Sequence, residues 1–213
     1  MAGWRVYLRI FLLAGTGMQQ AEAHPHSFIA LQTTPVVDNN QLIGLKMRWK
    51  MDELTSADLL YDAGMAKPGS EVWKTLAAEV MANVLSQHYF TELWHNGNKV
   101  KFSATPSQYS LERENHQAVL RFILPLATPQ PLKGETYQFS TFDPSYYVDM
   151  QYDAGNDLVL PPELEKHCQF SLHTPSPGEE IRRFALSLDK ADAPEEDMEL
   201  GKQFAQQVRL TCH

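Results

Sequence analysis

Two histidines flank a proline in "AEAHPHSFIA", residues 21–30, directly after an Ala-x-Ala triplet. Imidazole is a borderline-soft nitrogen ligand that suits copper, nickel, cobalt and zinc, with copper preferred on raw affinity. Cleavage after Ala23 would add a third nitrogen. The freed α-amine of His24, with an ordinary pKa of about 7.7 to 8.0, gives up its proton to a metal near neutrality. The amine and Nδ1 of His24 then chelate one ion, and His26 offers another imidazole two residues on. Pro25 has no amide proton, so the square-planar mode built on deprotonated backbone amides is closed. The shell is partial, and a residue from elsewhere must complete it. The plain alternative makes His-Pro-His an extended lead-in to the strand "SFIALQTTPVV". That cleavage coincides with His24 favours the ligand reading.

Other clusters are weaker. His88, Glu92 and His95 have the spacing of one helical face, but "YFTELWHNGN" has strand and hairpin character, which leaves two partly exposed histidines without a shared ligand. His116 and His173 are isolated. Asp149, Asp153 and Asp157 suggest a calcium loop, yet Gly155, Leu158 and Leu164 stand where a loop acid, the sharp-turn glycine and the bidentate glutamate belong. No Gly-rich phosphate loop, G-x-S-x-G elbow or HExxH occurs.

The first 23 residues read as a secretory signal: Arg5 and Arg9, the short apolar core "IFLLAGTGM", and Ala21-Glu22-Ala23 as cleavage site. That core is too short to span a bilayer. The expected mature protein, residues 24–213, is therefore periplasmic and does not itself span the membrane. Cleavage removes Arg5, Arg9 and Glu22 from 18 basic and 26 acidic residues, which leaves a net charge near −9. Such an acidic surface repels phosphate backbones, so no nucleic-acid partner is expected.

The elements that must carry these residues are mostly strands. In "IGLKMRWKM", Ile43, Leu45, Met47, Trp49 and Met51 alternate with Gly44, Lys46, Arg48 and Lys50. The same period of two runs through Leu120, Phe122 and Leu124; Cys168, Phe170 and Leu172; Phe184, Leu186 and Leu188; and Val208, Leu210 and Cys212. "HNGN" at 95–98 and "RENH" at 113–116 supply hairpin turns. The expected fold is mainly β, an antiparallel, immunoglobulin-like β-sandwich forming one domain. A helix over 69–87 with Ser70 as N-cap, and a shorter helical turn at 55–62, form a helical insertion at about 55–87. The acidic "KADAPEEDME" at 190–199 reads as a surface loop.

Cys168 and Cys212 are the only cysteines, both on apolar strand faces, and export implies oxidising surroundings. A disulfide between two strands follows, stabilising the fold by about 4 kcal/mol in the chain-entropy model. A Cys2His2 zinc site with His167 and His213 is disfavoured, because adjacent strand residues point to opposite faces.

Mature "HPHSFI", then "MRWKMDEL", "FDPSYYVDM" at 142–150 and the terminal "VRLTCH" together resemble the periplasmic proteins of domain-of-unknown-function family 1007. Members of that family are labelled as the periplasmic component of an uncharacterised ABC-type transport system. They are typically encoded beside nickel/cobalt-type permeases or in zinc-responsive operons. The resemblance implies handling of a divalent transition metal (Zn, Ni, Co or Cu), with an inner-membrane metal permease or another envelope protein as partner. It does not bring over the calcium-like segment of many members, because "DLLYDAGMAKPGSE" lacks regular acidic ligands. Asp143 and Asp149 could join His24 and His26 if their segment lies near the N-terminus, or else cap a turn.

The sequence thus points to a non-enzymatic metal-handling accessory protein. Its rivals are a metal-free interaction module of the envelope and a histidine-brace copper enzyme, which needs a third nitrogen the sequence does not identify. For the disulfide the check is thiol titration of the unreduced, unfolded protein, which should find no reactive thiol; two reactive thiols would refute it.

Overall fold

The computed structural model describes residues 25–153, 155–188, 194 and 198–213. The expected signal segment, His24 and most of the 190–199 loop lie outside them. The chain runs β1 (Ser27–Asp38), β2 (Gln41–Met51), α1 (Glu53–Ala63), α2 (Glu71–Ser86), β3 (Thr91–His95), β4 (Asn98–Val100), β5 (Tyr109–Glu114) and β6 (Gln117–Pro131). It continues through β7 (Thr136–Thr141), β8 (Val148–Gln151), β9 (Cys168–His173), α3 (Glu179–Ser187), α4 (Leu200–Phe204) and β10 (Gln207–Cys212).

Two five-stranded sheets form a β-sandwich, ordered β5-β6-β2-β1-β8 and β4-β3-β7-β10-β9. Every strand pair is antiparallel except β1 with β8. The reason for two layers is the pattern itself. Leu45, Met47 and Trp49 bury one face of the first sheet, and Leu93, Tyr137, Phe139, Val208 and Leu210 bury one face of the second. All of them belong to one apolar core.

A bulge between Leu42 and Gly44 breaks the expected alternation of β2, so Leu42 is buried and Ile43 is only half-buried. Gly44 belongs there because an added Cβ would meet the Leu124 carbonyl oxygen at 2.7 Å. On the solvent side Arg48 pairs with Glu114 at 2.5 Å, and Arg121 bridges Glu112 and Glu114. Both expected hairpins form, with Asn96 (φ 49°), Gly97 (φ 77°) and Asn115 (φ 57°) in the left-handed region.

The helical insertion plugs an open side. α2 turns Trp73, Leu76, Ala77, Met81 and Val84 into the core and packs along β5. Ser70 holds the N-cap position, but its hydroxyl makes no capping hydrogen bond. α1 begins earlier than expected because Asp52 caps it, accepting from the Thr55 amide at 2.8 Å. At its other end Arg113 donates to the carbonyls of Leu60 and Gly64 at 2.9 and 3.1 Å.

One expected strand is a helix. Phe184, Leu186 and Leu188 lie in or just after α3, not in a strand. Ile181, Phe184, Ala185 and Leu188 recur at helical spacing and form a second small core with Leu200, Phe204 and Tyr146, whereas Leu186 is 60 % exposed. Three alternating residues fit either period, and the acidic Glu179 and Glu180 in the first turn favour the helix.

The disulfide Cys168–Cys212 is present, joining directly opposed residues of β9 and β10 and closing a separation of 44 residues. With both sulfurs bonded to each other, the zinc alternative has no thiolates. Among the described residues no helix is long and apolar enough to cross a membrane.

The second core meets the sandwich at a tight point beside the 143–147 turn. The Gly201 amide donates to the Pro144 carbonyl at 3.0 Å, and a Cβ on Gly201 would lie 1.8 Å from the Asp143 carbonyl oxygen. Gly201→Ala must therefore displace backbone. It should cost about 3 kcal/mol, lowering the melting temperature by roughly 6 to 12 °C in thermal unfolding.

Candidate functional site

β1 opens at Ser27 with backbone bonds on both flanks. On one side its register with β8 is parallel, Ser27 opposite Val148 and Phe28 opposite Asp149. The amides of His26 and Ser27 both donate to the Tyr147 carbonyl, at 2.9 and 3.3 Å, and the His26 ring tilts against the Tyr147 ring with centroids 5.0 Å apart. On the other side the Phe28 amide donates to Asp52 Oδ2 at 2.7 Å, and the Asp52 amide donates to the Phe28 carbonyl at 2.9 Å. Ser27, itself buried, bonds Thr55 hydroxyl to hydroxyl at 2.6 Å. One carboxylate therefore starts α1 and clamps the N-terminal strand. Desolvation works to raise the Asp52 carboxyl, but hydrogen bonds from Thr55, Phe28 and Leu54 outweigh it and hold it below the usual range.

The turn at 143–147 lies against this strand, as a shared metal shell would require. Its side chains are used in particular ways. The Asp143 carboxylate accepts from the Ser145 amide at 3.0 Å, the Ser145 hydroxyl at 2.9 Å and the Val148 amide at 3.0 Å. It closes an Asx-type turn rather than projecting outward. Tyr146 lies before β8: it takes φ 60° and stacks on Phe204 with centroids 4.0 Å apart. Burial, then the Asp149 charge, pushes the Tyr146 hydroxyl up to about 12.

Asp149 is half-buried, and both of its oxygens accept from the Gln151 amide group at 3.0 Å. Desolvation lifts its carboxyl above the ordinary value despite that bond and one from the Met150 amide. Beyond it, Gln206 stitches the sheets, accepting from the Tyr152 amide at 2.7 Å and donating to the Tyr152 carbonyl at 3.2 Å and to Thr174 Oγ1 at 3.0 Å. Tyr152 meets Thr33 at 2.8 Å, hydroxyl to hydroxyl, and burial pushes it up to about 12.

Of the four expected ligands, the structure brings His26, Asp143 and Asp149 to one edge of the sandwich, while His24 lies outside the described residues. Among the described residues no three His, Cys, Asp or Glu side chains are placed to hold one ion. The other histidines go elsewhere. His88 is exposed after α2, while Glu92 pairs with Lys99 at 2.8 Å and Lys202 at 3.3 Å. His95 is not merely solvated: its Nε2 lies 2.8 Å from Glu135, and it stacks on Tyr137 at 4.5 Å.

Sequence reasoning passed over Asp52, Thr55, Gly201 and Phe204. Asp52 did carry a signal, an N-cap residue directly before an acidic first turn. The stacking of Phe204 on Tyr146 carried none, since the two are distant in sequence.

The family model described as "Protein of unknown function (DUF1007)" matches residues 9–212. An uncharacterised protein of Haemophilus influenzae is 42 % identical over 191 residues, spanning 89 % of this chain and 91 % of the relative. No solved structure matches the chain.

Asp149 gives the edge a pH dependence whose sign is fixed. Its folded pKa lies above the unfolded one, so its ionisation opposes folding: the effect is absent below the unfolded value and grows as pH rises through the folded one. Asp149→Asn should melt higher than the parent at neutral pH, and the gap should close below about pH 4, the unfolded aspartate range. Melting curves across pH check this; a gap independent of pH would contradict it.

Proposed function

We propose that this chain, which belongs to the DUF1007 family, is a periplasmic accessory protein that takes up a divalent transition metal at its mature N-terminus for an inner-membrane permease. The observation that carries the reading is the parallel seating of β1 beside β8, with the His26 amide bonded to the Tyr147 carbonyl at 2.9 Å. A residue one bond from a paired strand is presented in a fixed direction, so a chelate formed by the His24 amine and imidazole and by His26 loses less freedom on binding. Nitrogen donors of this kind suit zinc, nickel, cobalt and copper. The disulfide supports an oxidising compartment.

The metal is cargo in this reading, and a short arm at a sheet edge suits a hand-over. Ligands on a chain terminus can be exchanged one at a time by an incoming partner, without opening the core.

A second reading, a metal-free interaction module, is favoured by one observation. α1 and the turn after it leave Leu54, Tyr61 and Met65 at 79, 86 and 98 % exposure.

Titration of nickel, zinc, cobalt and copper separates the two. The protein is exported through its own signal, and intact mass must show His24 as its first residue. We expect His24→Ala, His26→Ala to weaken binding at least about tenfold, or 1.4 kcal/mol. Equal affinity would sink the N-terminal site, and no binding tighter than about millimolar in either protein would favour the interaction module.

A further inference from the structure

A second feature of the molecule shares no residue with the N-terminal edge. Between the end of α2 and the place where the chain leaves β4, there is a cleft of about 510 Å³. That volume is in the range of small-molecule sites. Its walls are Leu85, Tyr89, Val100 and Phe102, and its polar rim includes His88, Lys99 and Lys101. No carboxylate lines it among the described residues.

One wall is built at a conformational cost. His88, Tyr89 and Phe90 take φ of 50°, 61° and 52° in succession, a left-handed run that residues with a Cβ avoid. A glycine after α2 would end the helix with less strain. The chain instead keeps an aromatic pair there and holds it firmly. The Tyr89 hydroxyl donates to the Ser103 carbonyl at 2.9 Å, and its ring meets Phe102 edge-on at 6.1 Å and stacks on Phe122 at 6.2 Å. The Phe142 amide donates to the Phe90 carbonyl at 2.8 Å. The result turns Tyr89 inward and leaves His88 exposed at the rim.

The facing wall is equally fixed. After β4 the chain crosses from one sheet to the other, the Ser103 amide donating to the Pro125 carbonyl at 2.8 Å and the Ala127 amide to the Lys101 carbonyl at 2.9 Å. Backbone bonds on both sides make the cleft preformed rather than a gap that side chains close.

The charges select the ligand. Lys99 is neutralised by Glu92 at 2.8 Å, whereas Lys101 is exposed and has no ion-pair partner among the described residues. An otherwise acidic protein thus keeps an unneutralised ammonium at the mouth of an apolar cleft. We infer that this cleft binds a small amphipathic monoanion, its apolar body against Leu85, Tyr89, Val100 and Phe102 and its carboxylate-type head on Lys101.

The test uses the mature chain, with decanoate as the anionic probe and decanol as its uncharged counterpart, by isothermal titration. Ala104, an exposed residue at the cleft lining, provides the blocking variant Ala104→Trp, and Lys101→Gln removes the charge. Both sites are at the surface, and melting curves verify that both variants fold. Decanoate should bind saturably, about tenfold more weakly to Lys101→Gln, with decanol unchanged between those two proteins. Ala104→Trp should lose both probes. Absence of saturable binding up to about 1 mM in the parent, or decanoate affinity unchanged by either substitution, overturns the proposal.

Discussion

The approach of α4 to the 143–147 turn is the constraint from which the architecture of the N-terminal edge follows. With Gly201 backbone against the Asp143 carbonyl, no side chain fits between them. Asp143 then gathers the Ser145 and Val148 amides, which fixes where β8 starts. β8 in turn fixes the direction of β1 through a parallel pairing, in a sandwich whose other pairs are antiparallel. The small core of Tyr146, Phe204, Leu200 and Ala185 packs on the same turn, whose Tyr147 carbonyl accepts from the His26 amide.

The remaining stability is spread over the sandwich, which buries Trp49, Tyr137 and Phe139 almost completely and staples its second sheet with one disulfide. Some buried polar groups are paired, Gln206 with Tyr152 between the sheets and Thr33 with Tyr152 within the first. Such bonds contribute about 1 kcal/mol each when made and cost more when one partner is removed. They also fix register, since Gln206 meets Tyr152 through both its amide atoms.

Much of this was legible before the structure. β2, β6, β9 and β10 announce themselves by alternation, because a half-wet strand imposes a period of two, and the Asn-Gly turn announces the β3–β4 hairpin. The cysteine pairing followed from there being two cysteines on apolar faces. What failed did so for physical reasons. α3 was read as a strand because three residues cannot distinguish periods, and the packing that decides it comes from Leu200 and Tyr146, far along the chain. The left-handed run at His88, Tyr89 and Phe90 is invisible in residue types that normally avoid it. The seating of β1 beside the Asp143 turn is a parallel, non-local pairing that no local pattern encodes. The family assignment was readable from four short motifs, and the match over residues 9–212 bears it out.

The central claim is that the backbone amine of His24, and not merely two histidines near a terminus, makes the metal site. Its most direct test compares nickel binding by the protein that begins at His24 with binding by one carrying a single pyroglutamate ahead of it. Every side chain of the domain is then the same, and only the free amine has gone. The account predicts at least about a tenfold loss of affinity on adding that residue. Equal affinity would contradict it.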